Sequence, residues 1–138
     1  MAAARVAHEG PVRLVLTGRA ENHLHGRPDL DDTIARLQAY QEAGADALFA
    51  PGLRSAEEIG RVVSAVDRPV NVLAGPGSPP VSELASLGVA RISVGGSFAF
   101  AALATLVESA TELRDGGTYG FRERTGEGIR MAREAFGA

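Results

Sequence analysis

The chain has 138 residues, of which 45% are hydrophobic and 22% are charged, so its length and composition allow one globular domain with a sizeable core. A formal net charge of -3 without a basic block argues against nucleic-acid and anionic-membrane partners, and the absence of cysteine excludes disulfides and thiol chemistry. No apolar run approaches the roughly 18 residues of a membrane span. We therefore expect a single cytoplasmic domain over residues 1–138, with neither nucleic acid nor membrane as a partner.

Four short apolar runs predict β-strands. None of them alternates cleanly between polar and apolar residues, which is typical of strands that are covered on both faces of a parallel sheet. The predicted strands span residues 12–17, 47–50, 70–74 and 90–94.

Helical patterns follow each of these runs. The first places Leu30, Ile34 and Leu37 on one face, and the second opens with the capping box Ser55-Ala56-Glu57-Glu58. The predicted helices span residues 29–43, 55–66, 78–88 and 98–114, and a weaker helical pattern covers residues 128–136.

Strands and helices therefore alternate along the chain, which predicts right-handed crossovers and a parallel sheet. The predicted strands start 35, 23 and 20 residues apart, near the roughly 30 residues per unit of an eight-stranded α/β barrel. We expect an α/β fold: a parallel (βα)4 half of a TIM-type (β/α)8 barrel over about residues 1–117, followed by a helical tail at 118–138.

Four segments carry a family resemblance. They are TGRAEN (17–22), RLQAYQEAGADALFAPGL (36–53), RPVNVLAGPGSPP (68–80) and ELASLGVARISVGG (83–96). In this order and spacing they resemble the C-terminal half of the isocitrate lyase and phosphoenolpyruvate mutase superfamily, and most of all its carboxyphosphonoenolpyruvate phosphonomutase-like members. The resemblance covers about residues 3–117.

The resemblance implies a barrel that binds Mg²⁺ and a small 2-oxo or 2-hydroxy carboxylate, or a phosphonate. Such members make or break a C–C or P–C bond through an enolate-like intermediate. Their fifth strand ends in Ala-Arg-Thr-Asp or a close variant, and the arginine holds a carboxylate or phosphonate. Here Gly18, Arg19, Ala20 and Glu21 occupy these positions, so Arg19 is implied as the catalytic and substrate-binding arginine, with Glu21 beside it.

Residue chemistry supports the same role for Arg19. A guanidinium at the carboxyl edge of a parallel sheet offers a bidentate fork to a carboxylate and stabilises negative charge that develops there. The alternative is a structural one, in which Arg19 only pairs with Glu21 or another surface acid.

Further candidates have two interpretations each. Asn71 lies in an apolar strand, so it either satisfies buried polar groups or contacts a ligand, and Leu73 is the alternative family counterpart. Gly75 and the pair Gly95-Gly96 precede helices, where backbone N–H groups can cradle an anion, although such glycines also form ordinary tight turns.

No metal ligand is predicted within this chain. His23 and His25 fit a solvated loop better than a metal site, since a third strong ligand is not evident. The resemblance implies that Mg²⁺ is held by acidic residues on strands one to four of the barrel, which this chain lacks. We expect the chain alone to be incomplete as a catalyst.

A half-barrel leaves two sheet edges unpaired, so we expect a homo-oligomer in which a second copy completes the sheet. The expected shared interior positions are Val15, Leu48, Val72 and Ile92, and the tail is a candidate for exchange between subunits. The alternative function is a non-catalytic oligomeric scaffold or a module that binds small anions. A flavodoxin-like sheet is a third alternative, but no GxGxxG fingerprint follows the first strand.

Overall fold

A computed structural model describes residues 2–137. Contacts divide the chain into two compact units, one that ends at Gly95 and one that begins at Gly96. The first unit contains α1 (Ala2–Glu9), β1 (Thr17–Arg19), α2 (Leu30–Glu42), β2 (Ala47–Phe49), α3 (Ala56–Ser64), β3 (Val70–Leu73), α4 (Val81–Ser86) and β4 (Arg91–Ser93). The second contains α5 (Ser97–Thr111), a π-helical turn (Glu112–Gly116), a 3-10 turn (Gly120–Arg124) and α6 (Thr125–Phe136).

The four strands form one sheet in the order β1-β2-β3-β4, and all neighbours are parallel. This confirms the predicted α/β fold with consecutive βα units. The pairing places Arg19, Phe49, Asn71 and Arg91 in one row across the sheet. Because side chains alternate along a strand, these four residues share one face.

The helices cover the opposite face of the sheet. Leu48 of β2 is fully buried and Val72 of β3 is 4% exposed, and both belong to the hydrophobic core. The helices contribute the fully or nearly fully buried Leu37, Ile59, Val62 and Leu84 to the same core. Burial of such side chains contributes about 1.5–3 kcal/mol each, so this face holds the unit together.

All four expected interior positions are therefore wrong. Leu48 and Val72 face the helices, together with the partly buried Ile92 of the same core, and not the prospective barrel interior. Val15 is 66% exposed and lies outside any strand. The run at 47–50 is apolar at every position and gives no phase, so the sequence could not show which of its alternate residues faced the helices.

The face away from the helices carries a mixed set of side chains, which we call the arginine face. Its members are Thr17, Arg19, Ala47, Phe49, Asn71, Leu73, Arg91 and Ser93. Three of its contacts are direct: Arg19 lies over Phe49, and Asn71 bonds to both Arg91 and Ser93.

The first strand begins later than predicted. Residues 12–16 are not a strand because hydrogen bonds tie them to α1 and to the residue before β2. Leu14 N–H donates to Ala7 O at 2.8 Å, and Leu16 N–H donates to Asp46 Oδ2 at 2.8 Å. Asp46 also accepts from Arg13 Nη2 and bonds to His8 Nε2, both at 2.7 Å.

Two helix starts are capped by side chains, and the box at α3 is the predicted one. Asp29 accepts from Asp32 N–H to cap α2, and Ser55 and Glu58 form a reciprocal capping box at α3. The helix predicted at 78–88 is α4 in the structure, and it is shorter than predicted. Pro80 occupies its N-cap position, so residues 78–80 remain outside the helix. The helix of the tail starts at Thr125, three residues earlier than the predicted 128.

The second unit contains a turn that is hydrogen-bonded around Glu112 and a helix, α5, with exposed apolar side chains. The hydroxyl of Thr118 and the N–H groups of Gly120 and Phe121 donate to Glu112, which holds the pKa of this carboxyl below its usual range. Along α5, Phe98 is 79% and Phe100 is 71% exposed. Within residues 2–137, no helix has both the length and the hydropathy required to cross a bilayer.

We predict that Asp46→Asn lowers the urea midpoint of unfolding. The Leu16 N–H, His8 and Arg13 hold the pKa of Asp46 well below its usual range, so the ionised form stabilises the fold. This contribution is fully present above the unfolded-state pKa of about 3.9 and is lost as the pH falls towards the lower folded value.

Urea titrations at several pH values test this assignment. The gap between wild type and Asp46→Asn should stay open above about pH 4 and narrow below it. Asp31→Asn is the matched control, because the Asp31 side chain is 84% exposed and its one ion-pair partner within residues 2–137 is the surface residue Arg61. An Asp46→Asn midpoint equal to that of the control would refute the stabilising role of the Asp46 carboxylate.

A second prediction concerns the close approach of α2 to β1. A Cβ added at Gly18 would lie 2.7 Å from Tyr40 Cβ, so Gly18→Ala requires the helix to shift and should cost about 1–3 kcal/mol. The control is Gly75→Ala, because no atom lies within 4 Å of a Cβ built there. Thermal and urea unfolding should show the loss for Gly18→Ala alone, and equal loss in both variants would contradict it.

Candidate active site at the end of the first strand

Arg19 closes β1 at its carboxyl end, and its side chain is 47% exposed. The guanidinium carbon lies 5.0 Å from the centroid of the Phe49 ring, and Arg19 Nε forms an ion pair with Glu21. This cation–π contact restrains the guanidinium and adds about 0.5–1 kcal/mol at an exposed site. The structure thus brings together the two predicted residues Arg19 and Glu21, in the geometry that the structural alternative requires.

An open pocket of about 490 Å³ lies beside this ion pair. It is lined by Arg19, Glu21, Asn22, His25, Arg27, Arg36 and Tyr40. Three arginines and one histidine face a single glutamate, although Arg36 also pairs with Asp32 at 2.7 Å. The pocket therefore favours a small anion.

Sequence reasoning missed four of these lining residues: Asn22, Arg27, Arg36 and Tyr40. The i, i+4 spacing of Arg36 and Tyr40 on a helix that follows β1 was the available signal. The prediction for residues 36–53 rested instead on their apolar positions and their family resemblance.

Asn22 holds the loop that forms one side of the pocket. The two hydrogens of its Nδ2 are shared among Asp29 O at 3.0 Å, Arg27 O at 3.3 Å and the hydroxyl of the buried Thr33. Thr33 Oγ1 in turn donates to Asp29 O at 2.7 Å. One buried amide therefore connects the end of β1 to the N-cap of α2 and sets the position of Arg27.

The two histidines of this loop lie in different environments. His25 is 70% exposed, with Nε2 3.5 Å from Glu21 Oε2. His23 packs against Gly52, and its Nε2 is buried without a hydrogen-bond partner in the described part of the chain. His23 is thus part of the packing between two loops, and this role was not predicted.

Asn71 is 3% exposed, and both ends of its amide are engaged. Its Oδ1 accepts from Arg91 Nε at 2.9 Å, and its Nδ2 donates to Ser93 Oγ at 3.0 Å. Of the two roles left open by the sequence, these bonds favour the satisfaction of buried polar groups.

The row that contains Arg19 does not follow the carboxyl edge of the sheet. β1 and β2 end on this row, at Arg19 and Phe49, whereas β3 and β4 continue for two residues, to Leu73 and Ser93. At about 3.3 Å per residue, Asn71 lies roughly 7 Å before the end of its strand. Leu73, the alternative counterpart, lies at the edge itself.

The glycine-rich loops after β3 and β4 have separate geometries. Gly75 N–H donates to Ser78 Oγ at 3.0 Å, as in an ordinary turn. Gly95 has φ +56°, a conformation that favours glycine, and Gly96 is the N-cap residue of α5. A role of Gly75, Gly95 and Gly96 in anion binding stays a prediction.

The described residues do not form a magnesium site. Residues 2–137 contain no group of three His, Asp or Glu side chains that meet at one point. Glu21 is engaged by Arg19, and Asp46 is engaged by three donors of the fold. The donor chemistry that Mg²⁺ prefers is therefore not assembled by this set of residues.

Comparison with known proteins identifies the class. The chain belongs to the phosphoenolpyruvate phosphomutase family, whose profile matches residues 1–114. A protein of Burkholderia cenocepacia J2315, provisionally named a lyase/mutase, has a crystal structure that superposes on this chain with a TM-score of 0.81. The two sequences are 53% identical, and the match covers 88% of this chain and 45% of that one. The resemblance inferred from the sequence is confirmed.

Two other relatives have named activities. An oxaloacetate decarboxylase of Rhodopseudomonas palustris (strain BisB5) is 39% identical over 93 residues, which cover 63% of this chain and 30% of the relative. The structure of oxaloacetate acetylhydrolase in complex with the inhibitor 3,3-difluorooxalacetate superposes with a TM-score of 0.67. Its sequence is 25% identical, and the match covers 91% of this chain and 47% of that one.

All of these relatives are longer than the chain. The chain spans about a third of the curated relatives it matches and just under half of the solved structures. The matched part of the chain thus corresponds to less than half of each of these relatives.

We predict that Asn22→Asp loosens the pocket loop. A carboxylate would replace the amide donor in front of three oxygen acceptors, and the unsatisfied buried groups should cost about 1–3 kcal/mol. Hydrogen exchange of residues 22–29 should accelerate and the urea midpoint should fall. His25→Gln, at a 70% exposed position, is the control and should change neither measurement.

Proposed function

We propose that this chain is the C-terminal half of a lyase that acts on a small 2-oxo dicarboxylate of the oxaloacetate type. The observation that carries the proposal is the placement of Arg19 at the carboxyl end of β1, over the Phe49 ring and beside a positively charged pocket. Two relatives named for reactions of oxaloacetate support the substrate class.

Arg19 would bind one carboxylate of the substrate. Its Nε is engaged by Glu21, while neither terminal nitrogen has a hydrogen-bond partner within residues 2–137. These terminal N–H groups can donate to a carboxylate oxygen, and the contact with the Phe49 ring restrains the guanidinium. A fixed cation also stabilises the negative charge that an enolate-like intermediate spreads over the substrate.

The neighbouring side chains would tune this binding. Arg27 and Arg36 raise the local concentration of anions, whereas Glu21 competes with the substrate for Arg19. Mg²⁺, which the resemblance implies, would be held by residues outside this chain, since the donors here do not fit it. The chain then contributes substrate binding and orientation, and needs further strands for turnover.

The same arginine suits a phosphonate. A tetrahedral anion accepts hydrogen bonds from a guanidinium as readily as a carboxylate does, and the family is named for a phosphomutase. Substrate panels should therefore include a phosphonopyruvate-type compound beside oxaloacetate.

We also propose that the second unit, which includes the tail helix α6, makes contacts between subunits. Large apolar side chains on α5 and α6 are exposed, including Phe98, Leu106 and Phe136. Exposed apolar surface is typical of subunit interfaces. An oligomer assembled through these helices is compatible with a barrel completed by other strands.

Reconstitution tests the catalytic role of Arg19. The chain is mixed with the part of the Burkholderia cenocepacia lyase/mutase that it does not match, and consumption of oxaloacetate and of the phosphonate is followed with Mg²⁺ present. Arg19→Ala should reduce kcat/KM by about 10²–10³, and Arg19→Lys should recover part of it, because the charge returns without the fork. Arg61→Ala, on the helical side, is the control.

Calorimetry of the chain with oxalate completes the test. Equal activity of Arg19→Ala and wild type would disprove the catalytic role. Oxalate binding that depends on Arg19, with no turnover of any substrate in the reconstituted sample, would instead favour a module that only binds small anions.

A further inference from the structure

The arginine face contains two cations and no carboxylate. Of its eight side chains, only Arg19 and Arg91 are charged. Arg19 is neutralised by Glu21, which follows the strand. Arg91 has no carboxylate within 4 Å in residues 2–137, and its one side-chain partner is the neutral Asn71, at 2.9 Å from Nε.

The bond to Asn71 gives the Arg91 side chain a defined direction. Asn71 is 3% exposed and also donates to Ser93, so it cannot move away without losing two partners. With Nε engaged, the terminal nitrogens of Arg91 remain available to one further group. A guanidinium presented in this way matches a carboxylate.

The place of Arg91 in the sheet determines what can reach it. It opens β4, an edge strand, and lies two residues before the carboxyl end at Ser93. Small substrates of α/β barrels bind beyond the carboxyl ends of the strands, so Arg91 lies below that level. Its expected partner is therefore a protein side chain that covers the arginine face.

We propose that the arginine face docks against a polypeptide segment of four further parallel βα units, which brings an Asp or Glu side chain to Arg91. This inference rests on the proposed function, in which the sheet is half of a barrel. The lengths support it, because the chain spans 45% of the lyase/mutase whose fold it shares with a TM-score of 0.81.

Charge favours such a segment over a second copy of this chain. Two copies that closed one barrel would enclose two Arg91 side chains, and neither arginine face would offer a carboxylate to them. A buried guanidinium without a counter-ion is strongly unfavourable. A segment with an acidic side chain on its inner face removes this penalty and discriminates against self-pairing.

Association with the unmatched part of the Burkholderia cenocepacia lyase/mutase tests the inference. Its affinity for this chain is measured by calorimetry and the stoichiometry by light scattering. Wild type should form a one-to-one complex, and Arg91→Glu should raise Kd by about tenfold or more. Arg91→Lys should fall between the two, because the charge returns without the bond to Asn71 or the fork. Arg61→Glu, a reversal on the helical side of the sheet, should leave Kd unchanged.

Charge reversal identifies the partner residue. Each inner-face Asp or Glu of the added segment is changed to Lys, and one of these variants should restore affinity to Arg91→Glu. Circular dichroism of Arg91→Glu and of the neutral Arg91→Met verifies that the chain still folds. Should Arg91→Glu fail to fold, Arg91→Met provides the same comparison. Its affinity for the added segment should fall, because the carboxylate of that segment then remains unpaired.

The outcomes separate the inference from the function on which it rests. Tight association with unchanged Kd in Arg91→Glu would overturn the role of Arg91 and leave the half-barrel intact. A closed dimer of this chain alone, insensitive to Arg91→Glu, would also overturn it. Loss of association in Arg91→Glu, with Arg19→Ala associating normally but inactive, would support both.

Discussion

The close packing of α2 on β1 at Gly18 determines the position of the candidate site. Only a residue without a side chain lets Tyr40 approach this strand so closely, since an added Cβ would lie 2.7 Å from Tyr40 Cβ. Gly18 therefore faces the helices, and Arg19, one residue later, must face the other way.

The two faces of the sheet have different tasks. The helix-covered face is apolar and contains Leu48 and Val72, and it supplies most of the stabilisation of the unit. The arginine face contributes little apolar burial, but it carries a cation over an aromatic ring at one edge of the sheet and a second, hydrogen-bonded cation at the other. Stability and recognition are thus assigned to alternate residues of the same four strands.

Sequence patterns predicted what depends on local chemistry. The capping box at Ser55 follows from residues close together in the chain, and the alternation of strands and helices predicted the parallel sheet; the structure has both. The pairing of Arg19 with Glu21 was the structural alternative, and the structure shows this ion pair. The start of β1 depends instead on Asp46, which lies 30 residues from Leu16. Valines at 12 and 15 favoured a strand, yet long-range hydrogen bonds decided the conformation of that segment.

The phase of the strands was the second feature that the sequence concealed. A continuous apolar run such as 47–50 does not show which residues face the helices, and this ambiguity led to the wrong assignment of Leu48. In the run at 70–74 the polar Asn71 marks the face opposite to Val72, a signal that the prediction did not use. Arg91 was not among the predicted site residues, because an arginine at the start of an apolar run usually indicates a solvated strand end. Its significance follows only from the register, which places it beside Asn71 on the face of Arg19.

A polar interior face has a consequence that an apolar one would not have. An apolar face gains free energy against almost any complementary apolar surface, so it selects poorly between a second copy and a different segment. A guanidinium that loses water tolerates only a partner with a counter-charge in reach, and it penalises every other arrangement. Within the isolated sheet Arg91 satisfies the buried Oδ1 of Asn71, its one side-chain partner within residues 2–137. In the proposed assembly its terminal nitrogens would in addition select which segment can cover the arginine face.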